Sequence, residues 1–384
     1  MKSILLLVDS LGLSGKTKSL VDLAIHMDRT RFVPIVASLS AADSLLAERL
    51  RSAGVRTELL GIPNGIRPEA LIRLRRFVRS VGPHLLHCFN PRPILLGGLV
   101  GRVTGSPVIG SLSAFACQVP DREYAYLPQP LATVSRRQVY RNRVACSLVE
   151  FLVAVSGALG TRFFRFNGLP IRKLRTIPYG IDVEAFQRYT ETDIAAFRAT
   201  LGIPSGALLV GSVGRLVEEK DYPSQFKAFA IAARECPSLH MLLAGDGPLR
   251  SQLQDLAVSL GIAERITFLG HSDSIPLVMR SFDVFVLASK FETFGVALIE
   301  AKAAGRAIVA TSIHEIPEIL SDGRAGRLVP AQAPEAMAMA LIELANNPDA
   351  RRALAQCALA EAREQHSLEA MVRGYQQLYA EAAK

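Results

Sequence analysis

The chain has 384 residues, of which 49% are hydrophobic and 21% are charged. This length exceeds that of a typical single domain, and this balance excludes a disordered or fibrous chain, so we expect two globular domains with sizeable cores. The five cysteines lie far apart without a Cys-x-x-Cys pair, which argues against a disulfide or zinc framework and favours a cytoplasmic protein with reduced thiols. The first apolar run ends at Asp9, too early for a signal peptide, and we expect no transmembrane segment.

Charge is distributed unevenly along the chain. Residues 1–184 contain 25 Lys and Arg against 12 Asp and Glu, whereas the remainder contains 19 against 23. Between residues 136 and 175, arginines alternate with hydrophobic residues. Such a basic surface suits an anionic membrane, a pyrophosphate-linked acceptor or nucleic acid. The alternative is an ordinary solvated surface in which arginine stems cover the edge of the core.

The first half alternates short apolar segments with amphipathic ones. This alternation predicts a doubly wound parallel sheet, which binds ligands outside the carboxyl ends of its strands. His87 lies near the end of one strand, where we expect a packed core histidine. The predicted strands are 4–8, 33–38, 84–89, 107–109, 151–155 and 174–177, and the predicted helices include 18–27, 68–81 and 94–103.

A glycine-rich turn, Gly-Leu-Ser-Gly-Lys-Thr, follows the first strand and begins at Gly12. It ends like a nucleotide-binding P-loop, but that motif requires another glycine at the position occupied by Ser10. We therefore favour, over an NTPase loop, a turn whose backbone at Gly12 and Gly15 approaches a ligand closely.

The second half repeats the strand and helix alternation after a connecting segment at residues 177–186. This repetition predicts a second sheet of the same type, and we place the boundary between the domains at residues 178 and 179. The predicted strands are 209–213, 239–244, 266–269, 283–287 and 307–310.

The segment from residue 288 to residue 305 connects a buried strand to a helix through a Ser-x-x-Glu-x-x-Gly loop. Backbone N–H groups at Thr293, Phe294 and Gly295 would then meet the positive end of the helix, which favours an anion. Glu292 and Glu300 would lie along one side if the helix ran from the first to the second. Backbone amides can bind a phosphate and carboxylates can bind hydroxyl groups, so this combination suits a sugar phosphate. The alternative is two solvated glutamates beside an ordinary helix start.

Five segments of the second half follow one another in a recognisable order. They are VGRLVEEKD (213–221), LLAGDGPLR (242–250), ITFLGHSDSIP (266–276), the run 283–311 and IPEILSDGRAGRLVP (316–330). Together they resemble the family 4 retaining glycosyltransferases of the GT-B fold, also called glycosyl transferases group 1. The resemblance implies an α/β protein of two Rossmann-like doubly wound domains facing a central cleft. It also implies that residues 1–178 bind the acceptor, that residues 179–368 bind the donor, and that a last helix at 369–384 returns to the first domain.

The resemblance also implies roles for individual residues. Arg215 and Lys220 would grip the donor diphosphate, Glu292 would lie by the donor sugar hydroxyls, and Glu300 would bind the ribose hydroxyls. The implied catalytic residues are Glu292, Arg215 and Lys220. The donor site would be completed by the backbone of eight further residues: Gly12, Gly15, Gly214, Gly270, His271, Thr293, Phe294 and Gly295.

Three positions depart from the family pattern. Tyr179 stands where members often have asparagine, and His314 with Glu315 replaces a small pair. After the strand at 107–109, many members have a histidine or arginine that contacts the donor sugar, whereas this chain has Gly110, Ser111, Leu112 and Ser113.

The implied function is transfer of a sugar, with retention of configuration, from a nucleotide diphosphate sugar, UDP being the expected nucleotide. The acceptor would be a glycan, a lipid-linked sugar or a small molecule. No Asp-x-Asp sequence is present, so we expect no metal or other cofactor. We expect a cytoplasmic enzyme that contacts the anionic inner membrane face through its basic first domain and does not bind nucleic acid. The alternatives are a nucleotide-sugar epimerase, a sugar phosphorylase or a basic non-enzymatic binding protein.

Overall fold

The computed structural model describes residues 1–12, 14–112, 136–292 and 294–383. The chain divides into two compact units, which we call unit 1 (Met1–Gly180 with Leu368–Lys384) and unit 2 (Ile181–Ser367). Two positions singled out above, Ser113 and Thr293, lie outside the described residues.

The described residues of unit 1 form a seven-stranded sheet in which all strand pairs are parallel. The prediction of a doubly wound parallel sheet is confirmed. The strands are β1 (Lys2–Val8), β2 (Phe32–Ser38), β3 (Arg56–Leu59), β4 (Leu85–Phe89), β5 (Val108–Ser111), β6 (Phe151–Ala154) and β7 (Leu174–Thr176). Their order is β3-β2-β1-β4-β5-β6-β7, so the direction of winding reverses between β1 and β4. β1 is central, and Ile4 to Leu7 are completely buried, which explains its continuous apolar sequence.

Helices connect these strands and cover the sheet. Several begin at residues that favour helix starts: the Ser14 side chain accepts a hydrogen bond from the Thr17 N–H, and Pro68 occupies the first turn of its helix. The helices are α1 (Gly15–His26), α2 (Leu45–Ser52), α3 (Pro68–Val81), α4 (Pro91–Thr104), α5 (Arg136–Ser147) and α6 (Gly157–Asn167).

The described residues of unit 2 form a six-stranded parallel sheet in the order β10-β9-β8-β11-β12-β13. The strands are β8 (Leu208–Val213), β9 (Leu239–Ala244), β10 (Ile266–Gly270), β11 (Val284–Leu287), β12 (Ala307–Thr311) and β13 (Arg327–Val329). Here the winding reverses between β8 and β11. The edge strands β3 and β13 were not predicted, because each is short and begins with an arginine.

The helices of unit 2 include one that a buried ion pair holds in place. Lys302 is completely buried, and its Nζ donates to the Ile319 carbonyl at 2.7 Å and to Glu361 Oε2 at 2.8 Å. The helices are α7 (Val183–Gln187), α8 (Glu191–Thr200), α9 (Tyr222–Glu235), α10 (Arg250–Ser259), α11 (Ile275–Ser281), α12 (Val296–Ala303), α13 (Ile316–Ile319), α14 (Pro334–Asn346) and α15 (Pro348–Gln365). Lys302 lies on α12 and Glu361 on α15. In the described part of the chain, no helix is both long and apolar enough to cross a membrane.

The last helix, α16 (Leu368–Ala382), belongs to unit 1 and packs against α1. Its Tyr379 is buried, and the hydroxyl lies 2.6 Å from His87 Nδ1. His87 Nε2 lies 2.7 Å from Ser111 Oγ. His87 is completely buried, which confirms the expectation of a packed core histidine. This hydrogen-bonded chain ties α16 to β4 and β5.

Because His87 is buried, we predict that unit 1 becomes less stable as the pH falls. Burial lowers the pKa of the imidazole from 6.5 to about 3, so the unfolded chain takes up a proton at pH values where the folded chain does not. His87 therefore contributes stability that is fully present above pH 6.5 and is lost as the pH falls towards 3. Between pH 7 and pH 5, the loss should be about 2 kcal/mol of unfolding free energy.

Urea titrations at pH 7 and pH 5 measure this loss in the wild type, in His87→Phe and in His84→Phe, which changes an exposed histidine of the same segment. His87→Phe should remove about 2 kcal/mol of this pH dependence, whereas His84→Phe should retain it. An identical pH dependence in the wild type and His87→Phe would show that another group is responsible.

Candidate functional site

Several predicted residues meet where the winding of the unit 2 sheet reverses. β8 and β11 are neighbours, and the loops that follow them leave the same edge of the sheet. Open α/β sheets bind ligands at this position, because the connecting helices turn away on opposite faces and leave space between the two loops. Lys220 lies on the loop after β8 and Glu292 on the loop after β11.

Lys220 and Glu292 form an ion pair across this space. The lysine side chain is 21% exposed and the glutamate side chain 9%, so both charges are largely removed from water. A short 3-10 helix, Glu218–Lys220, carries the lysine, and the Lys290 N–H donates to the Glu219 carbonyl at 2.8 Å. This backbone bond holds the two loops together.

Two further side chains fix Glu292. Ser289 Oγ donates to Glu292 Oε1 at 3.2 Å, and Ser289 is itself completely buried. The Glu292 N–H donates to His314 Nδ1 at 3.4 Å. The carboxylate is therefore held by a cation and a hydroxyl, and its backbone by an imidazole.

A second ion pair lies beside the first. Lys290 Nζ is 3.7 Å from Asp221 Oδ1, and the Asp221 side chain is only 4% exposed. Arg215 is exposed and makes no ion pair with any described residue. The two lysines are thus paired with two carboxylates, and Arg215 is a further, exposed cation on the loop after β8.

Glycines bring the loops after β8, β9 and β10 into backbone contact. A Cβ atom at Gly245 would lie 2.0 Å from the Gly214 carbonyl oxygen, and one at Gly247 would lie 2.5 Å from the Leu216 carbonyl oxygen. The Gly245 N–H donates to the Gly270 carbonyl at 2.7 Å. No side chain fits between these loops, which explains the glycines of the second motif and exposes main chain at the edge of the sheet.

Helix α12 begins after Glu292, so it does not run from Glu292 to Glu300. Gly295 has a φ of 72° in the left-handed region and caps the helix, whose first residue is Val296. Glu292 therefore lies on the loop, while Glu300 lies half-buried within the helix. The condition under which the two glutamates would lie along one side, a helix running from Glu292 to Glu300, is not met, because the left-handed Gly295 separates the loop from the helix. Phe294, next to Gly295, is buried.

The remaining predicted site residues are distributed over both units. Gly270 ends β10 with a φ of 75°, and His271 follows it with its side chain 86% exposed. Gly12 and Gly15 belong to unit 1, where Gly15 is the first residue of α1. Thr293, the third predicted amide, lies outside the described residues.

Two residues at the site were missed. Tyr222 follows the first motif and is buried at the start of α9; a Cβ at Gly214 would lie 3.2 Å from its hydroxyl oxygen. Burial raises the pKa of the Tyr222 hydroxyl, so it stays protonated. In the sequence, Lys290 has no feature that distinguishes it from a surface lysine. Its ion pair with Asp221 is visible only in the structure. An aromatic residue at a helix start gives no signal beyond core packing.

Two family models match the chain in succession. The model described as "Glycosyltransferase Family 4" matches residues 13–185, and the model described as "Glycosyl transferases group 1" matches residues 193–360. Together they extend over most of both units.

Curated relatives and solved structures agree with these matches. The chain is 35% identical over 205 residues to D-inositol 3-phosphate glycosyltransferase of Mycolicibacterium gilvum, covering 51% of this chain and 45% of that protein. It is 25% identical to alpha-D-kanosaminyltransferase of Streptomyces kanamyceticus, covering 71% and 70%. The chain thus spans less than half of the first relative's length.

Solved structures of similar fold cover the chain almost completely. Anabaena HepE in complex with UDP superposes with a TM-score of 0.81 at 21% identity, covering 99% of this chain and 100% of that one. A glycosyltransferase from Rickettsia africae gives 0.84 at 17% identity, covering 100% and 99%. These likenesses establish the fold, which is GT-B. With the two family models and the site residues at the switch point of unit 2, they show that this chain belongs to the family 4 glycosyltransferases.

Proposed function

We propose that the chain transfers a sugar from a nucleoside diphosphate sugar to an acceptor hydroxyl. The observation that carries the proposal is the Lys220 and Glu292 pair, held with Arg215 at the sheet edge where this fold binds ligands. The cation of Lys220 can bind the diphosphate, and the carboxylate of Glu292 can accept hydrogen bonds from the sugar hydroxyls. The two neighbouring groups therefore match the two halves of such a donor. The names of the curated relatives support the same reaction class.

The proposed donor carries UDP. HepE, a structural neighbour, has been solved with UDP and also with UDP-glucose. The main chain exposed near Gly270 and His271 would border the base, and Glu300 would bind the ribose hydroxyls.

In the proposed reaction, the diphosphate leaves with the electron pair of the glycosidic bond and gains negative charge. Lys220, Arg215 and backbone N–H groups near Gly295 would stabilise that charge, since preorganised donors act strongly where charge develops. Glu292 would hold the sugar hydroxyls and orient the ring. We propose that this cationic site acts without a metal ion, and equal activity in EDTA and in magnesium is the expected result.

We further propose retention of configuration, which the resemblance to retaining enzymes supports. The acceptor hydroxyl oxygen then forms its bond to the anomeric carbon on the face that the diphosphate leaves, and its proton passes to the departing phosphate oxygen. When water takes the place of the acceptor, proton NMR shows which anomer of the free sugar forms first. The same anomer as in the donor identifies retention, and the opposite anomer would exclude it.

Unit 1 is the proposed acceptor domain, and its basic surface suits a glycan or lipid-linked acceptor presented at a membrane. Arginines 137, 165 and 172 are exposed, as are Tyr140 and Ile171, at 71% and 56%. Arg143 Nε donates to the Asn167 carbonyl at 2.6 Å and joins α5 to the end of α6. We call Arg137, Tyr140, Arg165, Ile171 and Arg172 the basic patch. We propose that it rests on the anionic inner face of the membrane, and the free thiols of Cys88, Cys146 and Cys236 support a cytoplasmic location.

Removing Lys220 should weaken nucleotide binding strongly. Lys220→Met leaves Glu292 uncompensated beside the diphosphate, and this should raise the Kd for UDP at least about 30-fold. Arg215→Met removes a charge-assisted contact and should raise the Kd about tenfold. Calorimetric titration measures both, with Lys227→Met, an exposed lysine of α9, as the matched control. UDP affinity unchanged in Lys220→Met would remove this residue from the site.

Neutralising the basic patch should release the protein from anionic membranes. Each arginine near such a surface contributes about 1 kcal/mol, so changing Arg137, Arg165 and Arg172 to glutamine together should lower binding to phosphatidylglycerol vesicles about 100-fold. Vesicle sedimentation measures the bound fraction. The control replaces three exposed cations of unit 2, Lys227, Arg234 and Arg352. Equal binding by the two triple variants, or tight binding of an oligonucleotide by the wild type, would contradict the assignment.

A further inference from the structure

The residue that follows Lys220 has an unusual backbone conformation. Asp221 has φ 48° and ψ 44°, in the left-handed region that favours glycine. It ends the 3-10 helix Glu218–Lys220 and immediately precedes α9, so this one residue sets the direction in which the chain leaves the lysine. Its own N–H donates to the Glu218 carbonyl at 3.1 Å, which closes the turn around Lys220.

The Asp221 side chain is placed differently from that of an ordinary aspartate at a helix start. Such an aspartate accepts a hydrogen bond from an N–H group of the first turn. Within the described residues, the Asp221 carboxylate accepts none from α9, and only 4% of the side chain is exposed. One of its oxygens, Oδ2, is buried without a hydrogen-bond partner in the described part of the chain. The carboxylate has therefore lost both the helix cap and most of its contact with water.

The charge that faces this carboxylate is that of Lys290, on the loop after β11. Lys290 Nζ lies 3.7 Å from Asp221 Oδ1, and the lysine side chain is 23% exposed. A buried carboxylate depends on such a cation, because an unpaired charge is costly to remove from water. The left-handed backbone, the missing cap and the buried oxygen all disfavour an aspartate here. The interaction with Lys290 is what offsets them.

The two ion pairs of the site cross between the same two loops. Each loop contributes one lysine and one acidic residue, and each lysine pairs with the acidic residue of the other loop. If one loop slid along the other, charges of like sign would meet, so the arrangement fixes how the loops are aligned. The pairs are Lys220 with Glu292 and Asp221 with Lys290.

A bound diphosphate would affect the two pairs differently. A phosphate group competes with Glu292 for the Lys220 ammonium group, so the first pair weakens when the ligand arrives. Neither residue of the second pair belongs to the proposed donor contacts, and this pair continues to join the loops. Because Asp221 directly follows Lys220 in the chain, an interaction that holds Asp221 also holds the backbone of the lysine.

We propose that Asp221 and Lys290 are positioning residues, whose ion pair holds Lys220 in place for the diphosphate of the donor. This inference rests on the proposed function, in which Lys220 binds the diphosphate. It differs from a direct role of Lys290 as a second phosphate ligand. In a direct role, Asp221 would compete with the phosphate for Lys290 and weaken binding. In the positioning role, Asp221 strengthens binding.

The sign of the effect of Asp221 therefore tests the proposal. Asp221→Asn removes the charge and keeps a residue type that tolerates the left-handed region. It should raise the Kd for UDP about five- to tenfold, and Lys290→Met should raise it similarly, since each variant breaks the same pair. Calorimetric titration measures both. Tighter UDP binding by Asp221→Asn together with weaker binding by Lys290→Met would overturn the proposal, because this is the result expected if Lys290 contacts the phosphate.

Further variants separate positioning from a general loss of structure. Combining Asp221→Asn with Lys290→Met keeps the net charge of the wild type and should bind UDP as each single variant does. Lys290→Arg retains the cation and should bind UDP like the wild type. The control Glu343→Gln breaks the ion pair with Arg327 elsewhere in unit 2 and should also bind UDP like the wild type.

Uridine, which lacks the diphosphate, gives the second readout. Its affinity, measured by ligand-observed NMR, should be the same in the wild type, Asp221→Asn and Lys290→Met. A loss of uridine binding that matches the loss of UDP binding would show a general structural role and would overturn the proposal.

Comparison with Lys220→Met separates this inference from the proposed function. Adding Asp221→Asn to Lys220→Met should cause no further loss, because the aspartate acts through the lysine. If Lys220→Met loses UDP affinity while Asp221→Asn and Lys290→Met bind as the wild type does, the positioning role is excluded and the proposed function stands. If Lys220→Met also binds as the wild type does, the proposed function fails and this inference fails with it.

Discussion

The ion pair between Lys220 and Glu292 is the interaction on which the site of unit 2 depends. It joins the loop after β8 to the loop after β11, the two strands between which the sheet reverses its winding. Both side chains are largely withdrawn from water, and a pair of this kind is stable only while both partners remain. An anion that approaches Lys220 therefore meets a cation that is already positioned, beside a carboxylate able to accept hydrogen bonds from hydroxyls.

The supporting structure is built from backbone and from a buried anchor. Gly214, Gly245 and Gly247 allow the loops after β8 and β9 to touch main chain to main chain, so the edge of the sheet has little freedom to rearrange. Lys302, in the last turn of α12, fastens this helix to α15 through Glu361. Binding chemistry at the edge thus rests on rigid elements.

The parts of this organisation that depend on local sequence could be predicted. Alternating apolar and amphipathic segments predicted both parallel sheets. The family resemblance predicted Arg215, Lys220 and Glu292 for one donor site, and the structure brings Lys220 and Glu292 together in an ion pair. The start of α12 escaped prediction because Gly295 adopts a left-handed conformation that composition does not reveal. The His87 chain escaped because its partners are distant in sequence: Tyr379 is separated from His87 by 292 positions. The pairing of Lys290 with Asp221 escaped because each residue, alone, looks like a surface charge.

Taken together, the two units present different chemistry at equivalent positions of their sheets. The switch point of unit 2 carries two ion pairs, whereas none of the described residues that line the pocket at the switch point of unit 1 is charged. The most direct test of the central claim incubates the protein with UDP-, GDP- and ADP-α-D-glucose and follows each donor by proton NMR. We expect UDP-α-D-glucose to be consumed with release of UDP and with the α anomer of glucose appearing first, and Glu292→Ala to abolish consumption. No consumption and no binding of any donor by the wild type would contradict the account.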